Sequence, residues 1–219
     1  MERRLLGFFS GFPSRRFPRS VAERLARGMA CRESLVFVSA WPEDYRRNDS
    51  DSAGMYEMFL EYGMDFSQRH VVDRRMEPEK AARLVREASC VFLMGGHPGL
   101  QMKLIRDAGL DAAIWDSASA VLGVSAGAIN MAKRSLDTKE SPVPYEGLGL
   151  AGITVKPHFV PGDQALLSLL LSISMELPIC AMEDNSAIFA AGEEITPLGS
   201  VYWIAQGKIS PFSPQNLLF

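Results

Sequence analysis

The chain has 219 residues, 47% of them hydrophobic, and a mean hydropathy of +0.01. That suits one large domain with its own core and excludes a disordered or low-complexity chain. A formal net charge of −3 argues against general nucleic-acid binding, and the arginine excess of the first 50 residues reads as solvated helix surface. Three isolated cysteines, Cys31, Cys90 and Cys180, give neither a disulfide framework nor a zinc-ligand spacing.

The chain opens with arginines and then Leu5-Leu-Gly-Phe-Phe9, too short an apolar run for a signal peptide; Leu5 to Ser10 is predicted as a first strand. Val21 to Ala30 follows as an amphipathic helix, and Ser34 to Ala40 as a buried strand. Pro42 to Asp51 reads as a polar loop, Met55 to Tyr62 as a helix and His70 to Asp73 as a short strand. Glu77-Pro-Glu-Lys starts a helix that continues to Ala88. Cys90 to Met94 is a buried strand running into Gly95-Gly96. Leu100 to Ala108 and Leu110 to Asp116 are helical, and Lys133 to Leu150 reads as a long loop.

Ile153 to Phe159 is strand-like, and Asp163 caps a leucine-rich helix reaching Met175. The stretch Ala165 to Met175 is too short and serine-studded to span a bilayer, so a cytoplasmic location is the default. Pro178 to Met182, Ser186 to Ala190 and Ser200 to Ala205 are further strands. This alternation predicts one α/β domain over residues 1–219: a mostly parallel sheet with helices on both faces, closed by a C-terminal antiparallel meander.

The stretch Ser119–Met131 concentrates the chemistry. An apolar run ends at Val124, and Gly123-Val-Ser125-Ala-Gly127 leads into a helix, the pattern of a nucleophile elbow. A serine on a sharp strand-to-helix turn needs small neighbours, and the following N–H, that of Ala126, is available to an oxyanion. In such sheets the site lies outside the carboxyl ends of the strands. Gly95-Gly96-His97, Ser125, His158 and Glu183-Asp184 all fall at such ends.

A serine nucleophile needs a base, and imidazole suits that near neutral pH. His70 reads as a surface or satisfied histidine, and His97, after the glycine pair, is a candidate to line the pocket and contact substrate. His158, the only histidine after the elbow, is the candidate base. An acid to hold its tautomer has four candidates: Glu183, Asp184, Asp137 and Glu140. Gly95-Gly96 reads either as a tight turn or as the source of a second oxyanion donor, the Gly96 N–H. No Rossmann or Walker glycine pattern is present, so a phosphate-binding loop is not expected, and with no metal-ligand spacing neither a cofactor nor a metal is expected.

Taken together, Phe92-Leu-Met-Gly-Gly96, Gly123-Val-Ser-Ala-Gly-Ala128, Lys156-Pro-His-Phe159 and Ala181-Met-Glu-Asp184 resemble the motifs of the peptidase E (S51) family, which includes aspartyl dipeptidases and cyanophycinases. The order Ser, His, acid fits it, whereas α/β-hydrolases run Ser, acid, His. The resemblance implies a flavodoxin-like fold akin to class I glutamine amidotransferases. It places the nucleophile on Ser125, the base on His158, the acid on Glu183 and the oxyanion hole on Gly96 and Ala126, with a short peptide as substrate. The serine argues against glutaminase activity. Two departures bear on specificity: Pro161 to Leu171 carries no arginine to pair with an acidic side chain, and His97 replaces the usual asparagine. A short-peptide hydrolase with altered specificity is therefore expected. The alternative is a non-catalytic ligand-binding or regulatory protein on the same fold.

Overall fold

A computed structural model describes residues 4–117, 120–192 and 194–217. Ser119, at the start of the elbow stretch, and residues 1–3 lie outside them. In chain order, β1 (Leu5–Phe9) leads to α1 (Arg19–Gly28), β2 (Ser34–Val38) to α2 (Tyr45–Leu60) and β3 (Gln68–Val72) to α3 (Pro78–Glu87). β4 (Cys90–Leu93) is followed by α4 (Pro98–Asp107) and α5 (Leu110–Asp116), and β5 (Ala120–Val124) by α6 (Ala126–Met131). β6 (Arg134–Asp137), β7 (Ser141–Glu146) and β8 (Val155–Lys156) precede α7 (Gln164–Ile173). The chain closes through β9 (Ile179–Met182), β10 (Ala187–Ala191), β11 (Glu194–Leu198), β12 (Val201–Ala205) and β13 (Lys208–Pro211).

The main sheet has the order β11-β10-β1-β5-β4-β2-β3, parallel from β1 to β3, with β10 and β11 antiparallel at one edge. This is the expected flavodoxin-like α/β architecture. Strand alternation divides its apolar side chains between two cores. Phe8, Val91, Leu93 and Val121 face α3, α4, α5 and α6, while Phe9, Phe92, Leu122 and Val124 face α1 and α2. Cys90 and Cys180 are fully buried among apolar neighbours, as read. Among the described residues no helix is long and apolar enough to cross a membrane.

Three expectations need correcting. The polar stretch to Asp51 is not all loop: α2 begins at Tyr45, where the Asp44 carboxylate accepts from the Arg47 N–H. Its polar residues are satisfied inside, because Asn48 donates to Asp73 and accepts from Ser39. The loop predicted over 133–150 contains the β6–β7 hairpin, in which the prolines of β7 are tolerated because that strand pairs on one side only. The C-terminal meander is shared between sheets. β10 and β11 extend the main sheet, while β12 and β13 join β9 and β8 in a second sheet of order β13-β12-β9-β8. The strands ending at His158 and at Glu183-Asp184 therefore belong to a different sheet from the elbow.

Candidate active site

The elbow has the geometry its small residues suggest. Ser125 sits between β5 and α6 at φ 51°, ψ −108°, a strained conformation for a residue with a side chain. A Cβ on Gly123 would lie 2.6 Å from the carbonyl carbon of Gly127, and one on Gly127 would lie 2.1 Å from the Leu93 oxygen. Both glycines are thus required by the turn itself. The Ser125 N–H donates to the Phe9 carbonyl at 2.9 Å, which ties the turn to the end of β1.

The second sheet delivers the partners. His158, also at positive φ (54°), places Nε2 2.9 Å from Ser125 Oγ. Its Nδ1 lies 2.7 Å from Asp184 Oδ1. A carboxylate only accepts, so Nδ1 carries the hydrogen and Nε2 turns its lone pair to the serine hydroxyl.

The carboxylate at His158 Nδ1 is thus that of Asp184, not of the expected Glu183, and the alternation of β9 gives the reason. In β9, Cys180 and Met182 face the main core, whereas Ile179 and Ala181 face a smaller core that Tyr202 packs against. Glu183 continues the second set and accepts from the Tyr202 hydroxyl at 2.6 Å, which pushes that phenol's pKa up. Asp184 continues the first set, toward β1 and His158. The loop candidates are engaged elsewhere: Asp137 accepts from the Lys139 N–H at 3.0 Å, and Glu140 lies 4.0 Å from His97 Nε2.

Ser10 and Gly11 follow directly on β1, whose prediction from sequence ends at Ser10. Ser10 is fully buried; its Oγ accepts from the His158 N–H at 2.7 Å and donates to the Met182 carbonyl at 3.0 Å. A Cβ on Gly11 would lie 2.5 Å from His158 Cε1 and 2.7 Å from Asp184 Oδ1. A serine-glycine pair directly after a buried strand was the available signal. Behind the elbow, fully buried Asn130 donates to the Pro98 carbonyl and to Gln101 Oε1, and accepts from the Tyr145 hydroxyl. This network ties α6, α4 and the hairpin together.

The two glycines after β4 are not equivalent. A Cβ on Gly95 would make ordinary contacts near 3.5 Å. Gly96 has φ +144°, and a Cβ there would lie 2.3 Å from Trp41 Nε1. His97 caps α4 through Nδ1, which accepts from the Leu100 N–H at 3.3 Å. Ala126 directly follows Ser125. Gly96, Ser125 and His158 line two cavities, of about 250 and 310 Å³. His97, Asp137 and Glu140 line the first, and Arg15, Met55 and Met58 the second.

Compared with known proteins, the chain falls among peptidases. Residues 39–198 match the model of Peptidase family S51, and the chain belongs to that family. Two solved structures share its fold. One, a peptidase from an acI-B1 Actinobacterium, is 17% identical with a TM-score of 0.71, covering 97% of this chain and 95% of its own. The other, a candidate peptidase E protein from Listeria monocytogenes EGD-e, is 15% identical with a TM-score of 0.64, covering 90% and 98%. No curated protein sequence matches the chain.

Proposed function

We propose that this S51-family protein is a serine-type hydrolase of short peptides, acting through an acyl-enzyme on Ser125. The observation that carries the reading is the unbroken row from Ser125 Oγ to His158 Nε2 at 2.9 Å and from His158 Nδ1 to Asp184 at 2.7 Å. In the first step Ser125 Oγ attacks the peptide carbonyl carbon while its proton passes to His158 Nε2. Asp184 stabilises the imidazolium and holds its orientation. The carbonyl oxygen becomes an oxyanion, for which the N–H groups of Gly96 and Ala126 are the donors. Collapse breaks the C–N bond, and His158 returns the proton to the leaving amine. Water, deprotonated by His158, then attacks the ester and releases Ser125.

The two cavities flanking Ser125 give room for a short peptide on both sides of the scissile bond. His97, in the first of them, is a candidate substrate contact. The absence of arginine from Pro161 to Leu171 supports a specificity other than exclusive cleavage after N-terminal aspartate. A fluorophosphonate probe should label the wild type and leave Ser125→Ala unlabelled, and a dipeptide screen should show turnover in the wild type alone. Equal labelling of the two proteins would remove Ser125 from the chemistry. A wild type that hydrolyses no peptide would favour a binding role.

A further inference from the structure

From Met94, just past β4, to Pro98, the first residue of α4, the chain crosses the site on Gly95, Gly96 and His97. Two of these are glycines, which lose more conformational freedom on ordering than any other residue. One proposed oxyanion donor is the N–H of the second glycine, so this stretch has to be held still. The residues at its two ends are each gripped by a buried side-chain amide. Gln101 Nε2 donates to the Met94 carbonyl and to the Val38 carbonyl, both at 3.0 Å. Asn130 Nδ2 donates to the Pro98 carbonyl at 2.9 Å and to Gln101 Oε1 at 3.0 Å.

Both amides are shut off from solvent. Carbonyl groups only accept, so the Gln101 NH2 has to face Val38 and Met94. Its Oε1 then has to meet the Asn130 NH2, and Asn130 Oδ1 is left for the Tyr145 hydroxyl, 2.7 Å away. Each amide is thus fixed in orientation, with every N–H used. Packing alone does not need this, because Met and Leu would fill a similar volume with no polar group to bury. What the amides add is direction, at three particular carbonyls. Asn130 also stands four residues after Ala126, on the same face of α6. That helix is seated on the end of β4, where Gly127 lies against the Leu93 carbonyl.

We propose that Gln101 and Asn130 are positioning residues that hold the Gly96 N–H in register with the Ala126 N–H. The proposal rests on the peptidase reading above and assigns the residues that preorganise its oxyanion hole. Gln101 fixes the entry of the glycine stretch and Asn130 its exit. Asn130 also carries that grip to the helix whose first residue supplies the second donor. A hole built this way needs no reordering as charge develops on the carbonyl oxygen.

The variants are Gln101→Met, Asn130→Leu and the two combined, with Val85→Ala, a buried truncation on α3, as the control for lost stability. Gln101→Asn, whose amide is too short to reach Met94, stands in should Gln101→Met not fold. The first readout is labelling by a fluorophosphonate, whose phosphoryl oxygen enters the hole. Each single variant should lower the maximal labelling rate by about tenfold or more, with the half-saturating concentration within about threefold of wild type. The combined variant should fall no more than about threefold below the slower single one, because the two amides act as a unit. Val85→Ala should lower Tm and label at the wild-type rate. A folded single variant that labels within about threefold of wild type, losses that multiply in the combined variant, or an equal loss in Val85→Ala overturns the proposal. Backbone nitrogen-15 relaxation separates it from the hydrolase reading. The Gly96 and Ala126 amides of the wild type should both have order parameters of about 0.85, and in the combined variant Gly96 should fall below about 0.6 while Ala126 stays. That result upholds the positioning role even if the wild type takes no label, which would sink the hydrolase reading alone. A Gly96 amide as ordered in the combined variant as in the wild type overturns it.

Discussion

Lys156→Met should make the protein more stable. Burial, with a push from Lys139, brings the Lys156 amine from 10.5 down to about 8, against the opposing pull of Asp137, Asp163 and Asp184. The unfolded chain therefore binds a proton more tightly than the folded one. Below about pH 8 the folded state carries the whole penalty, and as pH rises from 8 toward 10.5 that penalty is relieved, so stability rises with pH in that window. A depression of this size corresponds to about 3 kcal/mol. Methionine fills a similar volume without the charge, and the bond to the Pro157 carbonyl that it forfeits offsets about 1 kcal/mol. The net gain at pH 7 is about 2 kcal/mol, or roughly 4–8 °C in Tm for a chain of this size. Urea denaturation of both proteins from pH 6 to 10 is the assay. The wild type should gain on the variant above pH 8. A variant less stable than the wild type at pH 7, or an alkaline rise of equal size in both, would refute the reasoning.

Four further substitutions test the site. Gly11→Ala places a methyl group against His158 and Asp184, and should lower kcat by about 10²-fold or more while the protein stays folded by circular dichroism; near-normal turnover would show that the His–Asp pair can shift without loss. Asp184→Asn should cost about 10⁴ in kcat by favouring the wrong imidazole tautomer, whereas Glu183→Gln, which touches Tyr202, should stay within about tenfold; the reverse ranking would return the acid to Glu183. Gly96→Ala meets both a positive φ and the Trp41 ring, and should lower turnover by about 10²–10³-fold; a variant within about tenfold of wild type in single-turnover acylation would exclude the Gly96 N–H from the oxyanion hole.

Much of this was legible because the signals were local. Apolar runs of four or five residues ending in glycine, serine or histidine marked the strands, and the elbow needed only the spacing of Gly123, Ser125 and Gly127. The choice between Glu183 and Asp184 was not legible, because both end the same strand. It depends on which face of β9 meets the main core, and sequence periodicity alone does not settle that over four residues. Lys156 escaped notice for a related reason. Its place beside Pro157-His158 carries no sign of burial, which comes from the tertiary packing around β8. The hairpin within 133–150 is not legible because the prolines of β7 carry turn signals even where they occupy an edge strand.

The site joins two sheets, so something must fix their relative position to within a few tenths of an ångström. The end of β1 does this. Ser10 Oγ receives the His158 N–H and donates to the Met182 carbonyl, while the Gly11 carbonyl accepts from the Asn185 N–H at 2.7 Å. The ends of β8 and β9 are thus bonded to the same two residues. The preceding residue, Phe9, accepts from the Ser125 N–H and so anchors the elbow. The proposed nucleophile, base and acid, Ser125, His158 and Asp184, are all bonded to or packed on Phe9, Ser10 and Gly11, three consecutive residues that touch no substrate in the proposed mechanism. Those residues need a buried strand behind them to be rigid, a short hydroxyl to bridge two chains and a glycine to let the imidazole approach. Among the described residues these requirements meet at the end of β1, the strand that pairs with both the elbow strand and β10.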